Sequence, residues 1–471
     1  MKMQLTKCFK VSYFWLILGG VWYPRSLENT RMLYAVNIYR VFGTIFINVG
    51  MLAIQFIYFF TVVGKDLDKT VDATALFTFV GYLYKAITVI KNRRRINKLL
   101  DIIDNETDKD DLLRNMAVNI NFISYFYNGW ACLTAIMWNL IPFTKATLTL
   151  PFYYPDLPPS SQWFVIWYIY QATILIINGV AQTSADHLFG GLMAFAATQL
   201  KLLQYKLEAI GTKTDSTMEI DEAINSTVQK HVSFAKTKNN PPFEYKRKRN
   251  QVDKNKTTIG NKIYYEKEVV EQQFLSKRCD LFNIYPYNAS VARAEKELTA
   301  NPMIRTQLPN KAQREQEDYE ETISCVEYHL KIIWFVEELT DIFGGAAFGQ
   351  FVLAAPLICL SMFIIMTSSD VTEIVTRILY FGCLSGQLFI YCFCGNLIKT
   401  QSDLVATAAY NSHWTSTSVR TQKALHLLVI RGQKTISVVA GNLFELSLVT
   451  FGALLKSSYS FFAVLRKQHD E

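Results

Sequence analysis

The chain has 471 residues and a formal net charge of +8, with 50% hydrophobic and only 19% charged residues. A soluble globular chain carries about a quarter charged residues, and the aromatic share of 14% suits segments that meet both lipid and its interface. The balance excludes a single soluble domain and points to a polytopic, all-α membrane protein.

Lys2, Lys7 and Lys10 precede a short apolar patch at 11–21, but Trp22, Tyr23 and Pro24 follow where a cleavable signal has small residues. The N-terminus therefore reads as an amphipathic or interfacial segment. Apolar runs follow near 34–63, 72–90, 117–143, 163–198, 342–367, 374–398 and 435–465. Each is long enough to cross a hydrocarbon core of about 30 Å. Seven spans place the termini on opposite sides of the bilayer. The lead-in to span 1 and the loops after spans 2 and 6 hold seventeen Lys and Arg; the loops after spans 1, 3 and 5 hold three. The basic side is cytoplasmic, so the N-terminus is expected inside and the C-terminus outside. A G-protein-coupled receptor has the opposite orientation.

The loop after span 3, KATLTLPFYYPDLPPSSQWF, is stiffened by Pro151, Pro155, Pro158 and Pro159. It reads either as a lid over an outward cavity or as a plain connection. Hydropathy collapses over 211–320, a Lys-, Asn-, Gln- and Glu-rich stretch expected to be a largely disordered cytoplasmic insertion. Its basic run EYKRKRNQVDKNK fits a solvated loop beside an anionic leaflet better than a nucleic-acid patch. The sequons at Asn105, Asn225, Asn255 and Asn288 fall on the cytoplasmic side and are expected to stay unmodified.

No catalytic constellation is present, and neither a cofactor nor a metal is expected. Cys392 and Cys394 lie two residues apart, roughly 200° around a helix, and a zinc site needs a convergent tetrahedral set. Polar residues inside spans are more informative, because lipid tolerates them only where they face protein or water. Thr134 on span 3 and Thr173 on span 4 are of this kind, among Phe79, Tyr82, Trp138, Tyr170, Tyr380 and Phe381. An aromatic cavity with a few hydroxyls or amides suits a small volatile ligand; the same rings also suit ordinary helix packing. On the last span Ser457, Ser458 and Ser460 precede Phe462 and Leu465, which share one face. In an oligomer that pattern makes a wettable pore with an apolar gate. Small-residue packing against a neighbouring helix explains it equally well.

QLFIYCFCGNLI at 387–398, the run through YNSHWTS, LLVIRGQKTISVVAGNLFELSL and the terminal SYSFFAVL resemble the insect odorant receptor family. DHLFGGL at 186–192, QLKLLQYKL and HLKIIWFVEELTDIFG extend the resemblance to the fourth and fifth helices. It implies a ligand-gated, non-selective cation channel of the plasma membrane in olfactory neurons, in which an odorant-tuning subunit forms a hetero-tetramer with a co-receptor. It places the ligand in the outer halves of spans 2, 3, 4 and 6, on Trp138, Tyr380, Phe381 and Leu384, and the pore on the last helix, at Ser458, Phe462 and Leu465. The segment 399–434 becomes a cytoplasmic anchor between subunits. The long 211–320 stretch departs from the family pattern. A gustatory receptor of the same superfamily is disfavoured by the missing TYxxxxxQF ending, and a transporter by the lack of internal repeats.

Overall fold

The computed structural model describes residues 9–23, 32–40, 48–63, 75–107, 111–144, 161–212 and 311–470. The chain divides into two units, Met1–Thr212 with Asp318–Glu471, and Lys213–Glu317; the first is the subject below. The Pro-rich loop at 145–160, most of the long polar stretch and the sequons at Asn225, Asn255 and Asn288 lie outside the described residues.

The elements are helices α1 (Lys10–Leu18), α2 (Met32–Arg40), α3 (Asn48–Val62), α4 (Ala75–Thr107), α5 (Asp111–Thr144), α6 (Gln162–Glu208), α7 (Lys311–Thr367), α8 (Val371–Tyr410), α9 (Val419–Gly432), strands β1 (Val439–Ala440) and β2 (Phe444–Glu445), and α10 (Leu448–Asp470). Four of the described helices, α6, α7, α8 and α10, are long and apolar enough by composition to cross a bilayer, and α3 is a shorter apolar helix. α4 and α5 occupy the second and third expected spans with more polar sequences. The described chain thus fits a seven-helix membrane protein.

Helical periodicity explains the packing. On α4 the buried positions are Phe79, Tyr82, Ala86, Val89, Ile96 and Ile103, spaced by three and four residues and their multiples. This stripe runs well past the expected end of span 2, so α4 continues as a packed helix beyond the apolar run. α6 is the central element, packed by α8, α5, α1 and α4. Polar caps fix the helix starts. Ser161 accepts from Trp163 N at α6, Asp370 from Thr372 N at α8, and Ser418 from Thr421 N at α9.

Three differences from the sequence reading matter. First, α8 does not stop with the apolar run at 398 but continues unbroken to Tyr410, into the segment 399–434. Second, 435–447 does not continue the last span. Val439 pairs with Glu445 and Ala440 with Phe444 in a hairpin, and the transmembrane helix starts only at Leu448. The cause is local: Gly441 and Asn442 both adopt positive φ, 57° and 60°, which ends any helix and favours a tight turn. The hairpin wedges between two glycines. A Cβ on Gly344 of α7 would lie 2.9 Å from Val439 O, and one on Gly395 of α8 only 2.3 Å from Leu446 O. Third, α7 begins at Lys311, inside the stretch expected to lack structure.

α1 packs one face against the bundle. Phe9, Ser12 and Leu16 are fully buried, while Phe14 on the opposite side is 60% exposed. His187 Nε2 meets Ile120 O at 2.9 Å. A carbonyl only accepts, so Nε2 carries the proton and Nδ1 accepts from the Ser12 hydroxyl at 3.1 Å.

At the end of the bundle away from the helix starts of α6 and α8, Arg95 on α4 bridges Glu338 at 2.5 Å and Asp341 at 2.7 Å on α7. The Arg95 hydrogen bond holds the Glu338 carboxyl below its ordinary value. Nearby on α7, outside span 5, His329 is 3% exposed. Burial, with the positive charge of Arg431 adding to it, presses its pKa from 6.5 down to about 4. The folded chain therefore refuses a proton that the unfolded chain accepts. This contribution to stability is intact above pH 6.5 and is lost progressively as pH falls to about 4. Melting temperature across that window is expected to fall in the purified protein, and His329→Gln to flatten the dependence. An equal slope in the variant would remove His329 as its origin.

Candidate functional site

Four helices each turn one face toward a common interior space. On α5, Tyr127, Ala131, Thr134 and Trp138 repeat at helical spacing; on α8, Tyr380, Cys383, Leu384 and Gln387 do the same. α6 contributes Leu175, Asn178, Gly179, Gln182 and Thr183, and α4 contributes Thr78, Phe79 and Tyr82. They line a partly open cavity of about 110 Å³. That is the scale of the roughly 150 Å³ cavity that admits benzene.

Most polar groups on this wall are already partnered. Thr78 Oγ1 and the Tyr380 hydroxyl lie 2.6 Å apart. Tyr127 donates to Cys383 O at 3.2 Å, and Thr134 to Trp130 O at 2.9 Å. Asn178 donates to the Asn48 side chain, and Thr183 donates to Asn128 Oδ1 at 3.0 Å. The Trp138 and Tyr380 rings meet edge to face at 5.1 Å, and the Arg377 guanidinium sits 4.7 Å from the Trp138 ring. Such contacts hold the rings in fixed orientations. The cavity presents an apolar, aromatic surface.

Beneath it lies a buried charged cluster. Lys85 on α4 and Asp186 on α6 are 2.6 Å apart and 3% and 0% exposed. Tyr391 and Gln387 of α8 both donate to the Asp186 carboxylate. The Gln387 carbonyl accepts from Gln350 Nε2 of α7 at 2.7 Å. Gln387 therefore touches the cavity with its body while the two ends of its carboxamide are bound to Asp186 of α6 and Gln350 of α7. Ionised residues within a membrane bundle persist only when paired in this way.

Of the residues expected at a ligand site, Phe79, Tyr82, Thr134, Trp138, Tyr380 and Leu384 line the cavity together. Three stand outside the wall. Tyr170 packs beside a small cluster of Met51, Phe79 and Ile174. Thr173 is exposed on the side of α6 away from Leu175 and Asn178. Phe381, one residue and about 100° from Tyr380, packs into the main core instead. Sequence reading did not assign Thr78, Tyr127, Gln182, Cys383 or Gln387 to the site. Tyr127 is legible in retrospect, two turns before Thr134 on the same face. Lys85, a lone cation within an apolar run, was itself a signal.

On α10, Ser458 is fully buried and its hydroxyl donates to Ala355 O of α7 at 3.2 Å. Phe462 and Leu465 are half-buried on the same stripe, whereas Phe461 and Val464 are 66% and 59% exposed. Cys392 and Cys394 are buried fillers of α8, the latter facing Gly190 of α6.

A bundle of long apolar helices around an aromatic cavity and a buried ion pair fits a polytopic membrane protein. Residues 68–240 and 286–459 match the family described as 7tm Odorant receptor, and the chain belongs to that family. It is 27% identical to Odorant receptor 10 of Aedes albopictus over 32% of this chain and 40% of that protein. It is 29% identical to Odorant receptor 30a of Drosophila melanogaster over 31% of this chain and 39% of that one. The chain thus spans about two fifths of the length of these curated relatives. Its fold is similar to that of the olfactory receptor OR5 from Machilis hrabei in complex with eugenol, with a TM-score of 0.69, 15% identity and 98% of each chain covered.

Proposed function

We propose that the chain is an odorant-tuning subunit of a ligand-gated, non-selective cation channel. It acts in a hetero-tetramer with a co-receptor subunit in the plasma membrane of an olfactory neuron's dendrite. The observation that carries this reading is the aromatic cavity between α4, α5, α6 and α8, sized for a small volatile molecule. The basic-residue asymmetry supports a cytoplasmic N-terminus and an extracellular C-terminus. Phe79, Tyr82, Thr134, Trp138, Tyr380 and Leu384 hold the ligand, which shifts the channel toward its open arrangement only by its difference in affinity for the two states. Residues 399–434 serve as the anchor between subunits, and α10 lines the pore. Phe462 and Leu465 carry the gate in this reading, and the Ser458 hydroxyl, engaged with α7, holds α10 in place.

The test is expression with and without a co-receptor, recording currents against an odorant panel. Odorant-evoked currents that require both subunits are expected. No current under any condition, with the protein at the surface, overturns the channel reading. Phe462→Ala is expected to raise basal current, since about 1–2 kcal/mol lost from the closed state changes the open fraction roughly 5- to 30-fold. An unchanged basal current and reversal potential excludes Phe462 from the gate.

A further inference from the structure

Gln182 differs from every other polar group in the cavity. It sits on α6 between Asn178 and the ion-pair residue Asp186, one helical turn from each, lines the cavity and is only 7% exposed. Its carboxamide makes no hydrogen bond among the described residues. The hydroxyls of Thr78, Tyr127, Thr134 and Tyr380 are committed within the protein, as is the Gln387 carboxamide. This amide faces the cavity, and such a group without a protein partner is costly unless the cavity's contents hydrogen-bond it. It persists where something else supplies its partner.

We infer that Gln182 is the polar recognition point of the cavity and that it selects neutral ligands carrying one oxygen function on a compact apolar body. This deepens the proposed function and rests on the cavity being the ligand site. A carboxamide offers two N–H donors and one carbonyl acceptor, so it serves a ketone, aldehyde or ester as well as an alcohol or phenol. It carries no charge to neutralise an ionised ligand. The rings of Phe79, Trp138 and Tyr380 take the apolar body. A site built to hydrogen-bond one group rejects the analogue that lacks it, because its own polar atoms are then left unpaired.

The test uses probes of matched shape: acetophenone, 1-phenylethanol and cumene, and on a flexible skeleton 2-heptanone, 2-heptanol and 2-methylheptane. Binding to the purified full chain is read from the concentration dependence of its melting temperature, and gating from currents with the co-receptor. The oxygenated members of a set are expected to bind about tenfold more tightly than the hydrocarbon, a difference of one hydrogen bond. Gln182→Met, which keeps length and removes both polar atoms, is expected to bring that ratio to about one while leaving hydrocarbon binding intact. The ligand-free variant is expected to melt no lower than wild type. Equal binding of all three shapes by wild type overturns the inference, and needs no variant. Persistence of the tenfold preference in Gln182→Met overturns it too. Discrimination in binding without currents upholds Gln182 and counts against the channel. No binding and no current from any probe overturns the cavity as a ligand site, and the inference with it.

Discussion

Asp186→Leu is expected to abolish surface expression, and Lys85→Met/Asp186→Leu to restore part of it, since the double still leaves the Tyr391 hydroxyl and Gln387 Nε2 without their acceptor. Lys85 and Asp186 are 2.6 Å apart, with 3% and 0% exposure, so neither charge reaches solvent when its partner is lost. Removing one member of a buried pair costs about 3–5 kcal/mol, whereas replacing both with apolar groups of similar size is close to neutral. Against a total stability of about 5–15 kcal/mol, the single change leaves little folded protein. It also strips the acceptor from the Tyr391 hydroxyl and from Gln387 Nε2. Surface biotinylation of the two singles and the double measures the effect. An Asp186→Leu protein that reaches the surface as wild type does would show that the pair is dispensable. A double no better than the singles would show that the charges are needed for more than neutralising each other.

Gly395→Ala is expected to lower stability by about 1–3 kcal/mol and to suppress ligand-evoked currents. In a helix interior this change ordinarily stabilises by about 1 kcal/mol, so the expected sign is reversed. The reason is the hairpin. The new Cβ would lie 2.3 Å from Leu446 O and 2.6 Å from Leu446 Cβ, and backbone cannot swing aside as a flexible side chain does. Leu446 stands two residues before α10, so relief of the clash displaces the start of the helix proposed to line the pore. Gly129→Ala on α5 is the control, since a Cβ there meets nothing within 4 Å. Melting temperature and current amplitude of both variants decide the matter. Gly395→Ala behaving like Gly129→Ala would mean the hairpin does not press on α8.

Much of this architecture is legible in the sequence because lipid simplifies the problem. Apolar length marks the spans, and the basic residues cluster in alternate loops. Trp138 and Tyr380, placed at the ligand by the family resemblance, both line the cavity. What stayed hidden depends on register and on partners far away in sequence. Tyr170 and Thr173 have the right chemistry on the wrong turn or face of α6, and hydropathy does not report which way a residue points. Gln182 reads as one polar residue among several in span 4. Only the neighbours' commitments single it out. The hairpin hid for a different reason. SVVAGNLFELSLV is apolar enough to pass for membrane helix, and the two positive-φ residues at 441–442 are the one local contradiction.

The bond between Ser12 and His187 closes a loop of 175 positions. That separation sets an order of events during synthesis. The N-terminal helix leaves the ribosome first, yet the imidazole that fixes it belongs to the fourth span, and the carbonyl that orients that imidazole belongs to the third. A nascent chain stopped before residue 187 offers Ser12 only the Ser124 hydroxyl of the third span, without the imidazole. The first segment made thus completes its seat only with the fourth span, and its docking marks the point in biogenesis at which the first four spans have assembled as one bundle.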